Sequence, residues 1–253
     1  MKRIAITVLA LAWAFSFAAA QEKLSIAAAA NLSAVKDQLG AAFARMYPQY
    51  QAEFTFGSSG SLVTQIKNGA PFQVFMSADT GFAQDLVQAK MTTGPAKVYA
   101  VGKLILLTTR NLDLSKGLAI LEDPGVTHWA NCNPETAPYG RAAREALIKT
   151  GIYESVAPKL VTAQNVTQAL QFTLTSADAG FVNKSALFSK EVQAYDKEGT
   201  FWFEVDPSLY APIEQAFVVL AASGDSKPAA AFADFLSSSE AQAVFAAFGY
   251  GKP

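Results

Sequence analysis

The chain has 253 residues, 51% of them hydrophobic and 16% charged, with a formal net charge of −1, one histidine and one cysteine. A near-neutral chain lacks the basic excess of nucleic-acid or anionic-membrane binders, so no nucleic-acid partner is expected, and the apolar fraction is too high for disorder. His128 and Cys132 cannot build a structural zinc site, which takes four Cys or His ligands, and a lone cysteine forms no internal disulfide.

In chain order, residues 1–20 read as a secretory signal peptide. Lys2 and Arg3 form the positive start, Ile4 to Phe17 the apolar run, and Ala18-Ala19-Ala20 the small-residue cleavage site, with the cut expected after Ala20. The apolar run is about 14 residues, short of the roughly 20 that span a bilayer. The expected product is exported, periplasmic and without a membrane anchor of its own. Loss of Lys2 and Arg3 leaves 18 basic against 21 acidic residues, a net charge of −3.

The remaining sequence alternates strand-like and helix-like segments. Strands are expected at 24–29, 52–56, 74–77, 98–108, 126–131, 160–162, 180–182 and 212–221. Helices are expected at 32–46, 62–67, 82–88, 141–150, 166–175, near 185–190, 227–236 and 240–248. This order implies an α/β fold of βαβ units with mainly parallel sheets. The runs at 98–108 and 212–221 exceed an ordinary strand of five or six residues. A strand that long can leave one sheet and enter another. The expected architecture is two lobes joined by two crossing strands: 21–100 as the first part of lobe 1, 101–215 as lobe 2, and 216–253 as a C-terminal return to lobe 1. One continuous doubly wound sheet is the alternative.

Four of the expected helices follow strands and open with capping or donor residues: Ala30-Asn31-Leu32-Ser33, Gly57-Ser58-Ser59-Gly60, Pro138-Tyr139-Gly140-Arg141 and Asn165-Val166-Thr167. Ligands of open α/β sheets sit outside the carboxyl ends of the strands, where these loops lie. A helix N-terminus presents unpaired N–H groups and about half a positive charge. Four ends converging on one cleft would offer on the order of +2 to an anion. Each residue taken singly could equally do no more than cap its own helix. Arg141 and Arg144 are expected on a solvated helix face, and Cys132 as a buried small hydrophobe.

The blocks AAAANLSAV (27–35), FGSSGSLVTQIKNGAPFQVFMSAD (56–79), NPETAPYGRAAREAL (133–147) and NVTQALQFTLTSADAGFV (165–182) resemble the periplasmic molybdate-binding proteins of ABC transporters, in the same order across essentially the whole chain after residue 20. The resemblance implies a type II periplasmic-binding-protein fold, a monomer whose two lobes close on molybdate and also tungstate, and delivery to an ABC permease. No cofactor is implied beyond that ligand, and molybdenum enters only as the oxyanion. Carried over by position, the resemblance implies an oxyanion site at Asn31, with Ala30 before it, Ser59 through hydroxyl and N–H, and the backbone N–H groups of Tyr139 and Val166. Ser58 and Asn183 are expected behind these. Asn183 stands where some members carry a tyrosine, and the Tyr139 phenol is expected to replace that donor.

Neutral donors without a carboxylate suit a fully deprotonated dianion and argue against hydrogen phosphate. Sulfate has the same charge and shape and is the nearer alternative ligand. An exported serine hydrolase is the distant alternative. Gly57-Ser58-Ser59-Gly60-Ser61 misses the nucleophile pattern G-x-S-x-G at position 61, and His128 is the only histidine available as a base. An enzyme is therefore not expected.

Overall fold

The computed structural model describes residues 21–253. The expected signal peptide and its cleavage site lie outside the described residues.

Two five-stranded sheets organise the chain, each with its own helices; we refer to each such unit as a lobe. In the first, β1 (Glu22–Ala29) pairs in parallel with β2 (Tyr50–Gly57) and β3 (Val74–Met76). Next to β3, β10 (Ile213–Val219) runs antiparallel, and β4 (Lys97–Gly102) closes the edge in the order β2-β1-β3-β10-β4. The second sheet has the order β7-β6-β8-β5-β9. It is formed by β5 (Leu104–Leu107), β6 (Trp129–Cys132), β7 (Leu160–Ala163), β8 (Ala179–Asn183) and β9 (Trp202–Glu204).

Each sheet is mixed, with two parallel and two antiparallel pairings, where mainly parallel sheets were expected. The strands that break the parallel pattern stand beside the crossings between lobes. Only Lys103 separates β4 from β5, so the apolar run at 98–108 does leave one sheet and enter the other. The run at 212–221 behaves differently. Its strand lies wholly in the first sheet, and the return crossing is the preceding segment, 205–212. The three-residue β9 is too short to have left a pattern in the sequence.

The first sheet is covered on both faces, which explains why β1 reads as a nearly continuous apolar run. One face packs α1 (Lys36–Met46), α7 (Lys227–Leu236) and α8 (Ser239–Ala247) through Leu39, Phe43, Phe232, Phe235 and Phe245. The other packs α2 (Ser59–Lys67) and α3 (Thr80–Gln88) through Leu62, Ile66, Ala83 and Leu86. The second lobe carries α4 (Pro138–Lys149), the short α5 (Tyr153–Val156) and α6 (Val166–Thr175). Its core, centred on Trp129 and Phe181, continues into Ala29, Ala30 and Ala78 of the first lobe. The lobes thus share buried surface at the carboxyl ends of β1 and β3. Among the described residues no helix is long and apolar enough to cross a membrane.

Candidate functional site

Where the lobes meet, a small pocket is lined by Ala29, Ala30, Asn31, Gly57, Ser58, Ser59, Ala78, Ala137, Pro138, Tyr139, Asn165 and Val166. The space between them is small, about 210 Å³, room for one compact body larger than a single water. No charged side chain is among the lining residues. Six of the seven residues expected at the site, Ala30, Asn31, Ser58, Ser59, Tyr139 and Val166, come together here from both lobes. Asn183 does not line the pocket; its amide donates to the Asn31 carbonyl (3.2 Å) and to Ser185 Oγ (2.6 Å).

Three α-helices aim their first turns at this pocket, not four. The expected helix 32–46 begins only at Lys36, and the first loop is instead a three-residue 3-10 turn, Ala30–Leu32. At α2, the Ser58 side chain caps Ser61 N–H (3.4 Å) and Gly60 N–H reaches across to the Thr136 carbonyl (2.9 Å). Ser59 N–H, at the first helical position, keeps no backbone partner among the described residues. Ser59 Oγ accepts the Ala78 N–H (3.0 Å), which leaves its own hydrogen free to donate. At α4, Pro138 fills the first helical position, where a missing N–H costs nothing, and Tyr139 N–H follows without a helical acceptor. At α6, Asn165 Oδ1 caps Gln168 N–H (3.0 Å), and Val166 N–H is left unpaired among the described residues. Serine and asparagine caps therefore satisfy the deeper N–H groups of α2 and α6, and at all three helices an outermost N–H is left for a guest.

Two of the expected side chains are held from behind the pocket by Gln215. Asn31 was expected to offer its amide to the pocket, but Nδ2 donates to Gln215 Oε1 (2.9 Å) and Tyr250 Oη (3.1 Å). Its Oδ1 is buried without a partner. The Tyr139 phenol was expected to donate into the cleft; its oxygen accepts Gln215 Nε2–H (3.1 Å), which leaves its own hydrogen free to donate. Gly102 makes that contact possible, because a Cβ there would collide with the phenol oxygen and the Gln215 amide. A β-bulge between Gln215 and Ala216 re-aims the strand at this point. Tyr99 joins the cluster, with its hydroxyl near Gln215 Oε1 (2.8 Å) and the Ser77 carbonyl (3.1 Å). Burial, and then the neighbouring phenols, hold Tyr139 and Tyr99 well above the ordinary tyrosine range. Burial pushes Tyr250 up to about 12, against hydrogen bonds with Ser185 and Asn31 that lower it. All three are neutral phenols at physiological pH.

The sequence reading missed Gln215, Tyr99, Tyr250 and Ser185. Gln215 alone left a trace, as an uncharged polar residue inside the apolar run of β10. Arg141 was expected on a solvated face. It is half-exposed, but it reaches across the cleft to Asp79, while Arg144 pairs with exposed Glu135 (2.7 Å) as a surface pair should. His128 is exposed, with Nδ1 beside Thr127 Oγ1 (3.1 Å), and its N–H donates to the Asp178 carboxylate (3.0 Å). No base contacts Ser59 Oγ among the described residues. Cys132 is buried, and burial pushes its thiol up to about 12.

A family model described as bacterial extracellular solute-binding protein matches residues 24–251. The chain is 36% identical to the molybdate-binding protein ModA of Rhodobacter capsulatus, over 98% of this chain and 96% of that protein. It is 34% identical to ModA of Azotobacter vinelandii, over 92% of each. The solved structure titled as the periplasmic molybdate-binding protein of Azotobacter vinelandii superposes with a TM-score of 0.83 at 30% identity, covering 91% of this chain and 99% of that one. The chain belongs to the bacterial extracellular solute-binding protein family, and within it to the periplasmic molybdate-binding proteins of the type II fold.

Proposed function

We propose that this chain is the periplasmic receptor of an ABC transporter. It captures a tetrahedral oxyanion, molybdate or tungstate, between its lobes and presents it to the permease as a monomer. The observation that carries this reading is the pocket. Residues from five separate segments of two lobes meet around a space the size of one small ion, and what they offer is hydrogen-bond donors without a carboxylate. Oriented N–H dipoles supply the field, on the order of half a charge per helix end. An empty site built this way holds no unpaired cation, whose burial would be costly. Closure removes water and strengthens every contact to the dianion. Because the ligand bridges the lobes, it favours the closed form by its differential affinity for it.

The proposed donors are the N–H and hydroxyl of Ser59, the N–H groups of Tyr139 and Val166, and Asn31 with Ala30. The same donor set provides no general base, so the chain acts as a receptor and not as a hydrolase. The permease reads the closed lobes, and the chain needs no cofactor to reach that state.

Thermal unfolding of residues 21–253 tests the reading. Molybdate or tungstate at 100 times Kd adds about 2.7 kcal/mol of stability. At roughly 2–4 °C per kcal/mol for a chain of this size, the midpoint rises by several degrees. Sulfate at the same concentration gives a smaller shift. No shift with either metal oxyanion contradicts the proposal, and a larger shift with sulfate reassigns the ligand.

A further inference from the structure

The buried amide of Gln215 hydrogen-bonds to two residues of the pocket lining, Asn31 and Tyr139, and sits at the centre of the polar cluster behind it. As the bonds run, one buried atom of that cluster goes without a partner: Asn31 Oδ1, on a residue that is 1% exposed and lines the pocket. The opposite side of the same amide is taken up by Gln215 and Tyr250. An oxyanion entering the pocket would meet a carbonyl oxygen where it needs a donor.

A half-turn of both amides keeps every heavy-atom separation and inverts the direction of the bonds. Gln215 Nε2 then donates to Asn31 Oδ1 across 2.9 Å and to the Tyr99 hydroxyl across 2.8 Å, and Tyr139 donates to Gln215 Oε1 across 3.1 Å. Tyr250 has one hydrogen and keeps it on the Asn31 backbone carbonyl across 2.9 Å, where Asn183 Nδ2 also donates at 3.2 Å, so Gln215 Nε2 is the donor that satisfies Asn31 Oδ1. The orphaned oxygen is now satisfied, and Asn31 Nδ2 takes its place toward the pocket. The fixed point of the relay is the Ser77 carbonyl, which can only accept. A phenol has one hydrogen. When Tyr99 gives it to Ser77 across 3.1 Å, Tyr99 can only accept from Gln215, which must then show Nε2 to Asn31.

We propose that Gln215 is a positioning residue of the oxyanion site: locked by Tyr99 and Ser77, it turns the Asn31 amide so that its N–H faces the ligand. The proposal rests on the oxyanion reading given above. It assigns the Tyr139 phenol to Gln215 and not to the ligand, and it makes the site selective for anions that carry no proton to donate.

A double-mutant cycle tests it. Gln215→Met and Tyr99→Phe, each alone and combined with Asn31→Ala, are titrated with molybdate by calorimetry, and the melting temperature of each ligand-free protein is recorded. Gln215→Met is expected to weaken binding about tenfold and Tyr99→Phe about threefold. In the Asn31→Ala background both losses shrink below about twofold, because the relay has nothing left to orient. Equal losses in the two backgrounds overturn the proposal, since Gln215 would then act by packing alone. If Gln215→Met does not fold, the Tyr99→Phe cycle decides by the same criterion, as only a hydroxyl is removed. Failure of the unaltered chain to bind molybdate overturns the oxyanion reading and the relay together, a result distinct from additivity.

Discussion

Arg141, in the first turns of α4, forms an ion pair with Asp79, the residue that caps α3 in the opposite lobe by accepting Phe82 N–H (2.9 Å). The pair bridges the cleft beside the pocket and lies outside its lining. It belongs to the closed arrangement, together with the Gly60 to Thr136 bond (2.9 Å) and the Thr167 hydroxyl donating to the Ala30 carbonyl (3.1 Å).

Arg141→Gln should therefore weaken oxyanion binding without touching the ligand. A half-exposed ion pair contributes roughly 0.2–1 kcal/mol, so the expected loss is at most about fivefold in Kd. The gap between variant and parent should narrow as salt is raised, because screening removes what the pair gives. Calorimetry at low and high ionic strength checks both statements. An unchanged Kd at low salt would mean that the pair does not favour closure.

Gly60 tests closure by shape and not by charge. A Cβ at this position would stand 3.0 Å from the Phe82 ring and 3.1 Å from the Thr136 backbone in the other lobe. The first neighbour can rotate away, and the second cannot move without opening the cleft. Gly60→Ala is expected to keep a ligand-free melting temperature within a few degrees of the parent while losing about tenfold in affinity, or about 1.4 kcal/mol. Small-angle scattering with saturating ligand should show incomplete compaction. Parental affinity would mean that the lobes tolerate the extra methyl.

Most of the lobe architecture could be read from the sequence because it is written in local signals. Strand-to-helix alternation, the Ser58 and Asn165 caps, and the long run at 98–108 each follow from neighbouring residues. What escaped is what depends on residues far apart in the chain. Asn31 meets Tyr250 over 219 positions, and Arg141 meets Asp79 over 62. No local period encodes either contact. The same limit hides what holds the two donor side chains from behind. The loops named the residues that surround the pocket, but whether Asn31 and Tyr139 turn their side chains inward depends on Gln215, which arrives on a strand from the far end of the chain.

The buried phenols predict an alkaline limit to stability. Tyr250 is held up to about 12, from an ordinary value of 10.0, and Tyr99 and Tyr139 are raised in the same direction by burial. An acid whose folded pKa is raised stays protonated in the fold while the unfolded chain ionises. Their stabilising contribution is complete below about pH 10 and is lost as pH rises from 10 toward 12. Urea unfolding from pH 7 to 11.5 should show a flat region followed by a steep fall. Tyr99→Phe should make that fall shallower, and an unchanged slope would show that Tyr99 ionises as freely folded as unfolded.

Cys132 reports on the same core from the second lobe. Burial lifts its thiol to about 12, so thiolate is scarce at neutral pH and reagent cannot reach it. The folded chain should react with an aromatic disulfide reagent only through unfolding, with one thiol released in denaturant. Saturating molybdate should slow the reaction further by stabilising the closed form. Rapid stoichiometric reaction of the native chain would show that the second lobe opens locally.

The central claim is that one tetrahedral metal oxyanion occupies the space between Asn31, Ser59, Tyr139 and Val166. The most direct measurement is an anomalous difference map at the molybdenum edge from crystals of residues 21–253 grown with molybdate. A single strong peak is expected in that pocket, within hydrogen-bond reach of Ser59 Oγ and of the Ser59, Tyr139 and Val166 N–H groups. A peak elsewhere on the surface, or an empty pocket at saturating molybdate, would contradict that claim.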